Sequence, residues 1–210
     1  MALRHEDPAQ PRPRMRRAER SEQLIRVAEE VFTSRGIGAA SMDEIAERAG
    51  VTKPVLYDHF GSKDGLLAAV VTRAGDELRA AIAEAVADAA GAEQALARGL
   101  NAYFSFIAGR SATWLTLLTE TSGKTAAARA LDRVREAQAK FIADLFVREV
   151  PTTERDRALT YAQVVVGACE RLATYAAERA ALDPAALTAR LMDVIWIGFR
   201  AVREGEDWSP

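Results

Sequence analysis

The sequence contains few of the residues that form metal sites and disulfides. Among its 210 residues there are one cysteine, Cys169, and two histidines, His5 and His59. A single cysteine cannot form an intrachain disulfide, which is typical of a protein in a reducing compartment. So few imidazole and thiolate ligands also argue against a His/Cys metal site within one chain. We therefore predict no metal and no cofactor.

Long hydrophobic runs are also missing. No apolar segment approaches the ~20 residues that cross a bilayer. The first 20 residues are charged and rich in proline, and they contain no apolar signal core. The sequence therefore predicts a cytoplasmic protein that has no membrane partner.

Neither the alternating pattern of β-strands nor a strong excess of positive charge is present. Hydrophobic residues make up 49% of the chain and charged residues 28%, and alanine-rich segments without long β-branched runs favour helices. The formal net charge is −2, so the whole chain has no positive field that would attract nucleic acid. We predict an all-α fold in which any nucleic-acid site depends on local charge.

Apolar residues recur at helical spacing, and glycine, proline and capping residues divide the pattern into segments. The predicted helices cover residues 19–35, 42–49, 53–60, 63–90, 92–108, 111–120, 125–149, 154–181 and 184–203.

Two of these predicted helices are short and are joined by a tight turn. Ser41 and Glu44 form an S-x-x-E capping box that starts the first of them. Gly50 permits the positive φ that a sharp turn needs, and Thr52 is a favourable N-cap for the second, which has Pro54 in its first turn. Two short helices at a fixed angle, with polar residues where the second begins, are typical of a helix-turn-helix that reads DNA.

This segment resembles the DNA-binding domain of the TetR family of transcriptional regulators. The resemblance covers residues 21–67, ahead of an all-helical remainder of suitable length. The matching segments are FTSRG at 32–36, SMDEIA at 41–46, AGVTK at 49–53, LYDHF at 56–60 and SK at 62–63. The resemblance implies a helix-turn-helix domain at 19–65 and a helical domain for ligand binding and dimerisation at 66–205. The charge and proline content of residues 1–18 predict a basic, disordered arm ahead of these domains.

The resemblance further implies a homodimeric repressor that binds a palindromic operator in double-stranded DNA and is released by a small-molecule inducer. The candidate DNA-binding residues are Arg16, Arg17, Ser41, Thr52, Lys53, Val55, Tyr57, His59 and Lys63. Lys53 and Val55 are expected to lie close to base edges. The residues expected at phosphates are Thr52, Tyr57, His59 and Lys63. A competing interpretation gives Tyr57 and His59 only packing or capping roles.

The arginine-rich arm goes beyond the minimum that the family requires. Residues 11–20 contain five arginines and one glutamate, a local net charge of +4. A flexible basic segment before the first helix can reach the minor groove or the flanking phosphates. The alternative is a solvated tail without a specific role, but its position beside the helix-turn-helix favours a role in DNA binding.

Aromatic and apolar residues of the C-terminal helices, with a few polar residues in register, are consistent with a small-molecule pocket. The candidate ligand-binding residues are Tyr103, Phe104, Trp114, Leu118, Phe141, Gln163, Glu170 and Arg171. Their aromatic content favours an apolar or aromatic inducer. An ordinary hydrophobic core explains the same residues, and the pocket is implied chiefly by the family resemblance.

The last two predicted helices, 154–181 and 184–203, carry apolar stripes backed by small residues, which allow helices to approach closely. The stripes consist of Leu159, Ala162, Val166, Cys169, Leu172 and Ala176, and of Leu187, Leu191, Val194, Ile195, Gly198 and Val202. The family resemblance implies that these helices form the homodimer contact, with twofold symmetry. Alternatively, the stripes pack only within the monomer.

We do not predict an enzyme. Residues 122–125, SGKT, resemble the end of a phosphate-binding loop, but the position that needs a glycine is Leu118 and no strand precedes it. The main alternative function is a helical protein-interaction module that does not bind DNA.

Overall fold

The computed structural model describes residues 16–109, 123–179 and 183–204. Within these residues the secondary structure consists of eight helices and no strand, which confirms the predicted all-α fold. The helices are α1 (Arg17–Arg35), α2 (Met42–Arg48), α3 (Lys53–Phe60), α4 (Lys63–Val86), α5 (Ala92–Gly109), α6 (Ala126–Glu149), α7 (Arg155–Ala177) and α8 (Pro184–Arg203). The predicted helix at 111–120 lies outside the described residues.

Capping residues set the starts of the first two helices. The Ser41 hydroxyl accepts a hydrogen bond from the Glu44 backbone N–H at 3.1 Å, as the sequence predicts. α1 begins two residues earlier than predicted because the Glu19 carboxylate accepts the Arg16 backbone N–H at 3.2 Å. Such caps satisfy backbone donors that have no partner within their own helix.

The predicted capping box of α2 is only half formed. Glu44 Oε1 accepts hydrogen bonds from Arg48 Nη2 at 2.8 Å and Arg35 Nε at 3.2 Å, instead of reaching back to the Ser41 backbone. A charged guanidinium is a stronger partner for a carboxylate than a neutral amide. The Glu44 side chain therefore connects α1 to α2 as well as the two ends of α2.

α4 is shorter than predicted and ends at Val86 rather than near residue 90. The chain after it turns back onto α5. Gln94 Oε1 accepts the Ala90 N–H at 2.8 Å, and Asp88 forms an ion pair with Arg98 at 2.5 Å. These contacts replace the last predicted turn of the helix.

The helices α1, α2 and α3 form a small head around fully buried side chains. Leu24, Phe32, Ile45 and Leu56 each expose no more than 1% of their surface. The same hydrophobic cluster continues into Leu66 of α4. The head and the rest of the described chain therefore share one core.

The remaining helices form the body of the protein. α4 packs against both α5 and α6, α6 packs against α7, and α5 packs against α8. Phe104, Ile107 and Leu131 lie in its centre and are almost completely buried. No helix in the described part of the chain is long and apolar enough to cross a bilayer.

Candidate nucleic-acid interface and ligand cavity

The turn between α2 and α3 holds these helices at a fixed angle. Gly50 adopts a φ of 64°, in the left-handed region that glycine enters readily. The Val51 N–H donates to Ala46 O at 3.0 Å, and the Val51 side chain packs against the head core. The predicted helix-turn-helix is therefore present.

α3 has one buried face and one exposed face. Leu56 is fully buried, whereas Lys53, Tyr57 and Asp58 are exposed, Tyr57 over 43% of its surface. Positions 53 and 57 are four residues apart, so their side chains lie on the same side of the helix. This face offers an ammonium group and a phenolic hydroxyl, both of which can donate hydrogen bonds to DNA phosphates.

Two lysines near the ends of α3 donate to neighbouring segments. Lys53 Nζ donates to Asp43 Oδ2 of α2 at 2.9 Å, and this hydrogen bond and the Asp43 charge raise the pKa of Lys53. Lys63 Nζ donates to Gly38 O, between α1 and α2, at 3.2 Å. One ammonium group therefore lies where α3 begins and the other just after it ends.

Arg17 joins the start of α1 to the end of α3. Its Nη2 donates to Asp58 O at 3.2 Å and lies 3.6 Å from Asp58 Oδ2. Arg16, immediately before it, is exposed. The structure thus brings Arg17, a predicted DNA-binding residue, to the end of α3, although Arg17 and Asp58 are 41 residues apart. Residues 1–15 lie outside the described part of the chain.

The other candidate DNA-binding residues differ in exposure. Thr52 is exposed at the N-cap of α3, and its side chain makes no capping hydrogen bond. Ser41 is exposed but is engaged in the α2 cap, and Val55 is half-buried against the head core. His59 is also half-buried, and its ring lies 5.7 Å from that of Phe60. That contact supports the packing interpretation of His59.

α4 connects the head to the body through a side chain in its first turn. Asp64 accepts hydrogen bonds from the backbone N–H groups of Ala126 at 2.6 Å and Ala127 at 3.1 Å, at the start of α6. A carboxylate at a helix N-terminus also interacts favourably with the helix dipole. The start of α6 is therefore fixed to the residue that follows Lys63.

Contacts to both neighbours continue along α4. A Cβ added at Gly75 would clash with the side chain of Val134, so glycine allows α4 and α6 to approach closely. On the side of the head, Arg73 lies 3.7 Å from both Glu22 and Glu29 of α1. A displacement of α6 would therefore act on α4 and, through it, on the head.

The body contains an apolar cavity of about 120 Å³ lined by residues of α4 to α8. Aliphatic and aromatic side chains make up most of its wall. They include Ile82 and Val86 of α4, Leu96, Leu100 and Tyr103 of α5, Phe141, Ile142, Leu145 and Phe146 of α6, Val165 and Val166 of α7, and Trp196 and Phe199 of α8. Apolar walls with few polar groups are typical of small-molecule sites.

Polar groups are few in the cavity wall. Gln138 is buried, and its Nε2 has no hydrogen-bond partner among the described residues. Cys169 is also buried, and loss of hydration raises the pKa of its thiol to about 12. Arg79, Arg148 and Glu149 contribute the charged part of the lining and are exposed to solvent.

The structure separates the aromatic ligand-binding candidates. Tyr103 and Phe141 line the cavity. Phe104 lies in the central core, where it has no exposed surface, and does not line the cavity. Trp114 and Leu118 lie outside the described residues.

The polar candidates of α7 do not line the cavity. Gln163 and Arg171 are exposed. Glu170 accepts hydrogen bonds from Arg135 Nε and Nη2, each at 2.9 Å, and this contact raises the pKa of Arg135. The Glu170 carboxylate thus joins α7 to α6.

Sequence reasoning missed several cavity residues, including Gln138, Ile142 and Phe199. For two of them a signal was available. Gln138 precedes Phe141 by three residues and Ile142 by four, so all three share one face of α6. No comparable spacing connects Phe199 to Phe141, because the two residues come from different helices.

The apolar stripes predicted for dimerisation lie largely inside the chain. Ala162, Val166, Cys169 and Ala176 of α7 are buried, and so is Leu191 of α8. These residues therefore pack within the monomer, which is the alternative to a dimer contact that the sequence left open. Their side chains cannot meet a second copy of the chain while α7 and α8 keep this orientation.

One apolar face of α7 and α8 is open to solvent, and it includes Val194 and Gly198 of the predicted α8 stripe. Val194 and Ile197 expose 75% and 61% of their surface, and Val164 exposes 62%. A Cβ added at Gly167 or Gly198 would meet no atom within 4 Å. Large exposed aliphatic residues beside open glycines provide a surface on which another helix can pack closely.

Two family models match the chain. Residues 24–70 match the bacterial regulatory proteins of the tetR family, and residues 92–198 match the tetracyclin repressor-like C-terminal domain. The first match covers the helix-turn-helix. The second covers most of the body, including most of the residues that line the cavity.

Two named relatives each match less than half of the chain. The transcriptional activator FasR of Mycolicibacterium smegmatis is 48% identical over 94 residues, which are 45% of this chain and 43% of FasR. The transcriptional regulator BetI of Stenotrophomonas maltophilia is 39% identical over 70 residues, which are 33% of this chain and 36% of BetI. The chain therefore spans less than half the length of these relatives.

Solved structures extend the similarity to most of the chain. A TetR-family regulator from Streptomyces coelicolor has a TM-score of 0.73 and 26% identity, over 92% of this chain and 85% of that one. The regulator FadR of Bacillus subtilis, solved with stearoyl-CoA, has a TM-score of 0.72 and 18% identity, over 83% and 96%. At that identity the likeness to FadR shows the fold alone.

Proposed function

The chain belongs to the TetR family of bacterial regulatory proteins, and we propose on that basis that it is a transcription regulator which binds double-stranded DNA as a homodimer. The observation that carries this proposal is the exposed face of α3. Lys53 and Tyr57 lie on that face, with Arg17 and Lys63 beside it. A short exposed helix flanked by cations fits the major groove and the phosphates on either side.

Dimerisation is proposed through the exposed apolar face of α7 and α8. Three large aliphatic residues there, Val164, Val194 and Ile197, are more than 60% exposed, which is unfavourable in water. A twofold contact would cover this face on both copies at once. It would also set two helix-turn-helix heads at a fixed spacing, as a palindromic operator requires.

The cavity is proposed to hold an apolar small molecule that controls DNA binding. Its wall offers mainly hydrocarbon surface, with Tyr103 and Phe141 among the aromatic residues. Long acyl chains are a suitable first probe, because FadR has the same fold and was solved with stearoyl-CoA. A result in which only small polar metabolites change DNA affinity would contradict an apolar ligand.

Ligand control would operate through α4. The ligand contacts α6, whose start is fixed to Asp64 in the first turn of α4, and Gly75 keeps the two helices in close contact. A ligand changes DNA affinity only if it favours one head spacing over another. A molecule that binds both spacings equally well would have no regulatory effect.

Repression is the first candidate for the direction of control, because a dimer bound at an operator can block transcription. Activation is the second candidate, and it is favoured by the similarity to FasR, which is named an activator. In vitro transcription from a template that carries the operator distinguishes the two outcomes.

Selection of genomic fragments by the purified protein, followed by footprinting, tests the proposal. A protected palindrome is the expected result, with equal protection of both half-sites. If no fragment is retained at low salt, and if ligand probes do not change this, the interaction-module alternative replaces DNA binding as the function.

A further inference from the structure

Lys53, the cation at the start of α3, is held by a carboxylate in the free protein. Its Nζ lies 2.9 Å from Asp43 Oδ2, and the two side chains are 45% and 71% exposed. We infer that Asp43 determines DNA specificity by competing with phosphate for Lys53, so that non-specific DNA is bound weakly. This inference rests on the proposed function and concerns the same DNA-binding face.

The described part of the head carries little positive charge for a DNA-binding domain. Residues 16–65 contain eight Lys or Arg and nine Asp or Glu, which gives a net charge of −1. Non-specific DNA binding depends almost entirely on cations that neutralise phosphates. When a carboxylate of the protein holds one of these few cations, the head therefore loses a large part of its capacity to neutralise phosphates. Arg17 is held by Asp58 in a similar way.

A purely structural role does not account well for the Asp43–Lys53 pair. Ion pairs between exposed side chains contribute little to stability. The angle between α2 and α3, which the pair joins, is already fixed by the Gly50 turn and by burial of Ile45 and Leu56. In contrast, both side chains are exposed, so each can leave the other and contact DNA instead.

Asp43 distinguishes DNA sequences because its charge is unfavourable near any phosphate, whereas only the operator offers bases that compensate for this effect. Beside phosphates alone, its negative charge is repelled and Lys53 must leave it. Beside suitable bases, the same carboxylate can accept a hydrogen bond from the amino group of cytosine or adenine. Removal of the charge should therefore increase affinity for random DNA more than affinity for the operator.

The test is the Asp43→Asn variant of the full chain, titrated with a random-sequence duplex over a series of salt concentrations. The variant should bind this duplex roughly threefold to tenfold more tightly, with a salt slope steeper by about one, because Lys53 gains a phosphate contact. The matched control is Glu47→Gln, which removes the same charge from the same helix. Glu47 is exposed and forms no ion pair with a described residue, so its effect should be smaller.

A second variant separates competition for Lys53 from a general charge effect. In a Lys53→Met background, Asp43→Asn should increase the affinity for random DNA no more than Glu47→Gln does, because the competing cation is absent and only the general charge effect is left. The inference is overturned if Asp43→Asn has no larger effect than Glu47→Gln in the wild-type background, or if it still has a larger effect than Glu47→Gln in the Lys53→Met background. Failure of the wild-type chain to bind any DNA would instead remove the proposed function itself.

Discussion

Cys169 lies in the cavity wall, where burial raises the pKa of its thiol to about 12. Since the thiolate is the reactive form, a raised pKa means that less of it is present at neutral pH. We expect the native protein to react very slowly with a thiol reagent such as DTNB at pH ~8 and to react fully in denaturant. The absorbance of the released thiolate measures both rates. Rapid, complete reaction of the native protein would contradict burial of this side chain.

Individual residues were predictable from sequence where local rules fix them. The Ser41 cap and the Gly50 turn depend only on neighbours in the chain, and both were predicted. Tyr103 and Phe104 show where this stops, since these adjacent residues were given the same role but only Tyr103 lines the cavity. The rotation of α5 about its axis decides between them, and that rotation is fixed by packing against other helices.

Asp64 is expected to stabilise the contact between α4 and α6. Replacement of Asp64 by alanine removes the acceptor of two backbone N–H groups at the start of α6. We expect the free energy of unfolding to fall by about 1–2 kcal/mol, the range for loss of a side chain that caps the N-terminus of a helix. Urea denaturation of the wild type and the variant measures this difference.

Asp64→Asn is the matched control for this prediction. It retains one acceptor oxygen and should lose less stability than Asp64→Ala. Equal stability of the alanine variant and the wild type would show that water or other groups replace the Asp64 carboxylate at no cost. The start of α6 would then not be fixed to α4 by this side chain.

The arginine-rich arm is expected to add to DNA affinity. Replacement of Arg12, Arg14, Arg16, Arg17 and Arg20 by alanine removes five positive charges. Binding to DNA should weaken, and its dependence on salt should become flatter, because fewer counterions are released. Titrations at several salt concentrations measure both effects. An unchanged salt slope would show that the arm is a solvated tail.

Helices were predictable to within a few residues, but their exposed faces were not. Caps and glycines determine where α1 to α3 begin and end, and these signals are local. On α7 and α8, apolar residues occur on more than one face, so the sequence could not show which face the monomer covers. Val166 is buried whereas Val164, two positions earlier, is 62% exposed. The difference arises from packing of α7 against α6.

The whole molecule is expected to be a dimer through α7 and α8. The double substitution Val194→Glu and Ile197→Glu places two charges on the exposed apolar face. Because burial of unpaired charges in a contact is very unfavourable, we expect a folded monomer with much weaker operator binding. Sedimentation velocity measures the change in mass.

Ala185→Glu is a suitable control, because Ala185 is exposed near the start of the same helix. It should leave the mass of the dimer unchanged. A double variant that remains dimeric would show that another surface joins the two copies.

Specific DNA binding by a dimer is the central claim. The most direct test compares the dissociation constants for the footprinted fragment and for a scrambled duplex of equal length, at about 50 mM and about 200 mM salt. Arg16, Arg17, Lys53 and Lys63 of two copies supply eight cations, so affinity for the fragment should fall about a thousandfold or more between these concentrations. The scrambled duplex should bind more weakly than the fragment at both salt concentrations. Equal affinity for the two duplexes, or no dependence on salt, would contradict the claim.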